Sequence, residues 1–129
     1  MRALLLTLVI TLLSACTSTN TLRTPRALEA ATADTVTTAV LLAQGGHELN
    51  PLGFWGTLLG KTLYLTIMPE EQRKTLDPIA SQLWTTAAVS NALQLAFVGS
   101  APVVFTLALS YIIVDGWFKY EKGLAKPGP

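Results

Sequence analysis

The chain has 129 residues, half of them hydrophobic and only 13% charged, and its mean hydropathy is +0.45. Because soluble domains usually carry about twice this fraction of charged residues, the composition predicts one small domain that lies largely in a membrane. The net charge of +1 and the scattered Lys and Arg residues argue against nucleic acid as a partner. The single cysteine excludes an internal disulfide, and with only one histidine the usual zinc-binding spacings are absent.

Residues 1–15 have the three parts of a secretory signal peptide. A positive start at Met1 and Arg2 is followed by an apolar stretch from residue 3 to about residue 13 and then by small residues. This apolar stretch is too short to span a hydrocarbon layer of roughly 30 Å comfortably. We therefore expect a cleaved leader.

The segment Leu13-Ser14-Ala15-Cys16 resembles the lipobox of bacterial lipoproteins, in which a Leu and two small residues precede an invariant Cys. The resemblance implies that Cys16 becomes the first mature residue and carries a diacylglycerol, with further acylation of its amine. Several acyl chains anchor a protein more firmly than one. Residues 16–26 would then form a polar tether. The residue after the cysteine is Thr17 and not Asp, which is the usual signal for retention in the inner membrane. The alternative is a signal anchor in which the cysteine occurs by chance.

Four helices separated by Gly or Pro are predicted after the tether, so the fold class is all-α. Their approximate ranges are 27–44, 52–68, 78–98 and 102–120, within a helical membrane domain at 27–120. Asp77 is the expected N-cap of the third helix, with Pro78 in its first turn. Residues 121–129 are expected to form a disordered tail.

The four helices differ in their predicted ability to enter a bilayer. A central charge costs about 3 kcal/mol, and each large aliphatic residue returns roughly 0.3 to 0.6 kcal/mol. The fourth helix should insert alone, the second and third are marginal, and the first carries Glu29 and Asp34 and needs partners. We expect three or four membrane-embedded helices; the competing interpretation is a soluble four-helix bundle held by the lipid on Cys16.

The distribution of basic residues conflicts with the lipobox. If Cys16 lies outside and all four helices cross, the basic residues of the tether, central loop and tail all lie outside, against the positive-inside rule. Three crossings, with the first helix lying along the surface or re-entering the membrane, would move the loop and tail to the cytoplasm. A third arrangement keeps four crossings, with these residues in the cytoplasm, and treats the lipobox as coincidental.

The stretch ADTVTTAVLLAQGGHELNPLG resembles the signature of a family of small, uncharacterised bacterial membrane proteins. In that signature Asp-x-x-x-Thr in one helix precedes a Gly-rich turn, Glu-Leu-Asn-Pro, and a lysine in the next helix. The matching positions here are Asp34, Thr38, Gly45, Gly46, Glu48, Leu49, Asn50, Pro51 and Lys61. The resemblance covers about residues 30–65 and implies a compact helical membrane domain of unknown activity. The family usually lacks a lipobox, and its lysine tends to lie further along.

A polar cluster is predicted inside the helices, formed by Asp34, Thr38, Lys61, Asn91 and Asp115. Asp34 and Lys61 lie near the middle of helices joined by a short turn, so they should meet at similar depth, where a pair costs less than either charge alone. The cluster is interpreted either as a structural pair that fixes helix register, or as an ion or proton relay or a polar ligand site.

The turn residues Gly45, Gly46, His47, Glu48, Asn50 and Pro51 are interpreted first as turn chemistry. His47 beside Glu48 does not make a metal site or a general base by itself. No Ser-His-Asp arrangement, phosphate loop or HExxH motif occurs, so we expect no enzyme.

The sequence thus predicts a small lipoprotein of the bacterial cell envelope, in the inner membrane with its tether in the periplasm, and with a structural or interaction role. Membrane lipids, a second copy of the chain or another envelope protein are the expected partners, and acyl groups on Cys16 are the only expected prosthetic groups. The alternatives are an ion-conducting or holin-like pore protein, and a lipid-tethered soluble module for binding or exclusion.

Overall fold

A computed structural model describes residues 23–46, 51–97 and 102–124 of the chain. This part consists of four helices: α1 (Ala27–Ala43), α2 (Gly53–Ile67), α3 (Glu70–Ala96) and α4 (Val103–Leu124). It contains no strand, so the predicted all-α class is confirmed for these residues. The predicted leader and Cys16 lie outside the described residues.

The ends of α1 follow from local sequence. At its start, the carboxylate of Glu29 accepts a hydrogen bond from the Arg26 backbone N–H at 2.8 Å, which pairs a group that the helix itself leaves free. At its end, the N–H groups of Gly45 and Gly46 donate to the carbonyls of Leu42 (3.0 Å) and Leu41 (2.9 Å). Gly45 has a φ of +82°. This is a Schellman motif, and it needs a glycine at the left-handed position.

Helix α3 begins at Glu70, eight residues before the predicted start, and this prediction was wrong. Pro69 separates α2 from α3. The carboxylates of Glu70 and Glu71 in the first turn interact favourably with the positive end of the helix dipole. Pro78 therefore lies inside α3, and Asp77 is not its N-cap. Because Pro78 has no backbone N–H, the carbonyl of Lys74 one turn earlier lacks its usual helical partner.

Helix α4 continues to Leu124, so the first four residues of the predicted tail are helical. The basic residue Lys122 lies in its last turn, where a cation interacts favourably with the negative end of the helix dipole. Residues 125–129 lie outside the described part of the chain.

The helices form an up-down-up-down bundle centred on α1 and α3. These two pack along each other in parallel: the hydroxyl of Ser81 donates to the carbonyl of Pro25, and Asn91 contacts Asp34. Helix α4 packs on α3, while α2 lies beside α1 and touches α3 only through long side chains such as Tyr64. Lys61 is the one buried residue of α2, so α2 is the peripheral helix.

The interior of the bundle is small and polar, and its surface is apolar. Among the described residues, four of the seven buried hydrophobic residues are alanines, and the buried polar residues are seven Ser and Thr residues besides Asp34 and Lys61. Large apolar side chains face outward instead, among them Trp55 at 77% and Val104 at 78% exposure. One helix, over Val103–Gly123, is long and apolar enough to cross a membrane, by length and composition alone.

The charged residues of the described chain gather at one end of the bundle, which we call the charged end. Apart from Asp34 and Lys61, every described charged residue lies near the start of α1, around the α2–α3 turn, or in the second half of α4. They are Arg23, Arg26, Glu29, Glu70, Glu71, Arg73, Lys74, Asp77, Asp115, Lys119, Glu121 and Lys122. The described residues of the opposite end, around the α1–α2 and α3–α4 connections, carry no charge.

Candidate polar site between the helices

A buried ion pair joins α1 to α2. The Nζ of Lys61 lies 2.5 Å from Oδ2 of Asp34, and the two side chains are only 6% and 9% exposed. The turn after α1 makes the two helices antiparallel neighbours, so residues near the middle of each reach the same depth. A charge removed from water needs an opposite charge or several hydrogen bonds, and here each group supplies the other's partner.

Asn91 of α3 completes the surroundings of Asp34. Its Nδ2 lies 2.8 Å from the hydroxyl oxygen of Thr38, 3.3 Å from that of Thr37 and 3.4 Å from Oδ1 of Asp34. The Thr38 hydroxyl is a further donor to the same carboxylate oxygen at 3.4 Å. One carboxylate therefore connects three helices, because α2 provides the cation and α3 provides the amide.

Lys61 has two further neighbours. Its Nζ is 3.3 Å from the hydroxyl oxygen of Thr35 and 6.0 Å from the centre of the Trp84 ring, at the outer limit of a cation–π contact. Trp84 in turn packs edge-to-face against Tyr64, whose hydroxyl donates to Asp77 at 2.7 Å. Thus aromatic side chains separate the ion pair from the charged end.

A cavity of about 380 Å³ opens beside the ion pair, between α1, α2 and α3. Asp34, Lys61 and Asn91 line its polar side, and it is bounded elsewhere by apolar side chains such as Phe54 and Leu58 of α2. It exists because α2 packs closely on α1 alone and leaves a gap towards α3. The cavity combines one buried pair of opposite charges with an apolar wall.

A second polar layer joins α3 to α4. The hydroxyl of Ser90 and the amide of Gln94 each lie 3.2 Å from the hydroxyl of Thr106. Ser110 donates to the Thr106 carbonyl one turn earlier at 2.5 Å. Ser90 and Gln94 also line the cavity. None of the predicted cluster residues belongs to this layer.

Asp115 does not belong to the cluster, and its predicted place there was wrong. Its carboxylate accepts a hydrogen bond from Gln82 at 3.1 Å and pairs with Lys119 at 2.6 Å. Gln82 precedes Asn91 by nine residues on α3, which corresponds to about 13 Å along the helix. Asp115 therefore lies towards the charged end, because it is in the second half of an α4 that runs antiparallel to α3.

Of the predicted turn residues, Gly45, Gly46 and Pro51 lie in the described part of the chain. His47, Glu48 and Asn50 lie outside it. Pro51 lines the cavity, which places the start of α2 at the cavity's outer end.

The sequence prediction missed the contribution of Thr37, Thr35 and Gln94. Thr37 follows Asp34 by three residues and so shares its helix face, a signal that was present in the spacing. Gln94 lies three residues after Asn91 in the same way. The described residues contain no group of three His, Cys, Asp or Glu side chains that could hold a metal ion.

No family model, curated protein or solved structure matches this chain. The likenesses to a lipobox and to the family of small bacterial membrane proteins thus stay predictions from the sequence.

Proposed function

We propose that this chain is a small membrane protein of the bacterial cell envelope, whose helices pack within the bilayer and whose role is structural or interactive rather than catalytic. The single observation that carries the proposal is the distribution of side chains, with Ala, Ser, Thr and one ion pair inside and large apolar residues outside.

This distribution suits lipid as the surrounding solvent. In water, each large apolar side chain left exposed forgoes roughly 1.5 to 3 kcal/mol of burial free energy. The exposed set lies mainly on α2, α3 and α4, and Leu28 is its one member on α1. Between membrane helices, small residues allow close packing and hydroxyls form interhelical hydrogen bonds. A tethered soluble bundle, the competing interpretation, would need the opposite arrangement.

The helix lengths support membrane embedding of the bundle. Helix α4 has 22 residues, about 33 Å, which exceeds the roughly 30 Å hydrocarbon layer. In α3 the polar first two turns precede Pro78, and the remaining 19 residues to Ala96 measure about 28 Å. The shorter α1 and α2, at 17 and 15 residues, depend on packing and on the shared ion pair.

The central place of α1 favours four crossings over three. A helix lying on the membrane surface would not have Ala30, Asp34 and Thr37 buried against α3 and its neighbours. With four crossings, residues 23–26 and the end of α4 lie on one side of the membrane. Lipidation of Cys16 would put this charged end in the periplasm, whereas the positive-inside rule puts it in the cytoplasm.

Membrane extraction tests the proposal. The wild-type chain and a Cys16→Ser variant should both remain in the membrane fraction after washing at alkaline pH and dissolve only in detergent. Release of the Cys16→Ser variant without detergent would establish the tethered soluble module instead. Mass spectrometry of the mature N-terminus decides separately whether Cys16 carries acyl groups.

An ion- or proton-conducting function is the second candidate, and the cavity beside Asp34 and Lys61 favours it, since ionisable residues within a membrane often mark ion paths. If it is correct, protein in sealed vesicles should conduct ions, and Asp34→Ala should abolish the flux while Asp115→Ala preserves it. Wild-type vesicles that remain tight would support the structural role.

A further inference from the structure

A second pocket, of about 500 Å³, lies at the charged end between the start of α1, the first turns of α3 and the end of α4. This volume is within the range of pockets that hold small molecules. Its back wall is fixed by two contacts, from the Ser81 hydroxyl to the Pro25 carbonyl and from the Thr24 hydroxyl and N–H to Glu121. The pocket is separate from the cavity beside Asp34.

The charges around this pocket are unbalanced. Four cations line it, Arg26, Arg73, Lys74 and Lys122, against two carboxylates, Asp77 and Glu121. Both carboxylates are already engaged by protein donors: Asp77 by Tyr64 and Arg73, and Glu121 by Thr24. An anion entering the pocket would therefore meet cations without competition from free carboxylates.

The cations around the pocket are only partly paired with carboxylates of the protein. In the described part of the chain, Arg26 and Lys122 have no carboxylate within ion-pair distance, although Arg26 interacts electrostatically with Glu29 and Lys122 with Asp115. Lys74 has only an exposed partner at 3.7 Å. Arg73 donates from Nη1 to the carbonyl of Leu65, but its buried Nε has no hydrogen-bond partner among the described residues. Because this Nε is buried, an entering anion would meet mainly the side chains of Arg26, Lys74 and Lys122.

The pocket also has an apolar side that continues onto the outer surface. Leu28, which is 63% exposed, and the buried ring of Phe118 both line it. Cations beside an apolar flank match an amphiphile whose phosphate lies at the charged end and whose chains run along the bundle. Free phosphate would not use the apolar flank.

We infer that this pocket binds the phosphate headgroup of an anionic phospholipid. The inference rests on the proposed embedding of the helices in a membrane. Basic pockets between membrane helices are a recurrent way of binding anionic headgroups.

The test is thermal unfolding of the full chain in neutral detergent, with phosphatidylglycerol, phosphatidylcholine or inorganic phosphate added. Phosphatidylglycerol should raise Tm more than phosphatidylcholine does, and inorganic phosphate should have little effect. Arg26→Gln and Lys122→Gln should each weaken the phosphatidylglycerol effect, by about five-fold in apparent affinity if each cation contributes as basic residues near anionic lipid usually do. Lys119→Gln is the matched control, because Lys119 lies at the same end, is exposed and does not line the pocket.

Two results would overturn the inference: equal weakening by Lys119→Gln, which would indicate a diffuse surface charge, or equal stabilisation by inorganic phosphate. Circular dichroism of each variant without lipid shows whether it folds. Failure of the membrane proposal is distinguishable, because the chain would then stay soluble without detergent and fail to float with vesicles of either lipid. A chain that floats equally with both lipids, and whose Tm both raise equally, would refute the lipid site alone.

Discussion

Asp34 is the residue on which three helices converge, since its carboxylate contacts Lys61 of α2 and Asn91 of α3. Removing one member of such a pair leaves the other buried and uncompensated. We expect Lys61→Met to lower the free energy of unfolding by about 3 kcal/mol. The double variant Asp34→Asn/Lys61→Met should recover at least half of this loss, because it buries no lone charge.

The measurement is a double-mutant cycle, in which circular dichroism monitors the unfolding of each variant in mixed micelles. Lys119→Met is the matched control: it removes a lysine from an ion pair of similar length, but one that is exposed and so contributes little. Additive effects of the two substitutions at Asp34 and Lys61 would contradict the pairing.

Glycine is required at the end of α1 for two different reasons. Gly45 has a left-handed φ, and a Cβ on Gly46 would lie 2.6 Å from Cγ of Leu41. We expect Gly45→Ala to destabilise the protein by about 1 to 2 kcal/mol. Gly116→Ala inside α4 meets nothing within 4 Å and should instead stabilise it by about 0.5 to 1 kcal/mol. Thermal unfolding in detergent measures both, and a stabilising Gly45→Ala would refute the Schellman geometry.

At the level of the helices, close packing of α1 depends on alanine. Ala30 is fully buried, whereas Ala39 on the same helix is exposed. Ala30→Leu should therefore cost about 1 to 3 kcal/mol by overpacking, and Ala39→Leu should be neutral or stabilising in detergent. Unfolding by heat or denaturant compares the two variants, and similar curves would argue against α1 as a central helix.

How far the sequence predicts these helices depends on the signal used. The Gly45-Gly46 pair predicts the end of α1 to within one residue, because the chemistry of a helix stop is local. The start of α3 was misplaced because the hydropathy change at Pro78 marks where the apolar segment begins, while the helix itself starts eight residues earlier, at Glu70.

In the candidate site, too, contacts between neighbouring helices were predicted from local sequence, whereas the offset of one helix along another was not. The meeting of Asp34 with Lys61 follows from a short turn and similar depth, which are properties of neighbouring helices. The position of Asp115 depends on where α4 lies along α3, and no local pattern encodes that offset. Spacing alone would have included Thr37, which lies on the same face of α1 as Asp34.

At the scale of the whole molecule, the proposed four crossings would place the charged end on one side of the membrane. The opposite end of the bundle would then lie on the other side. In a Cys16→Ser background, single cysteines at Lys74 and Lys122 should react with an impermeant thiol reagent from one side. Cysteines at Gln44 and Phe97, which are exposed, should react from the other side.

Labelling of spheroplasts and of inverted vesicles makes this comparison. Reaction of all four positions from one side would contradict four crossings. The side on which Lys74 and Lys122 react also decides between the periplasmic and cytoplasmic placement of the charged end.

Because α2 is peripheral, we expect it to be the first helix to unfold locally. Helix α3 packs on both α1 and α4, whereas α2 packs on α1 alone and is held mainly by one buried ammonium and by Tyr64. Local unfolding free energies follow the density of buried contacts. Amide hydrogens of α2 should therefore exchange with deuterium earlier than those of α1 and α3, as one cooperative unit, while the other three helices remain protected.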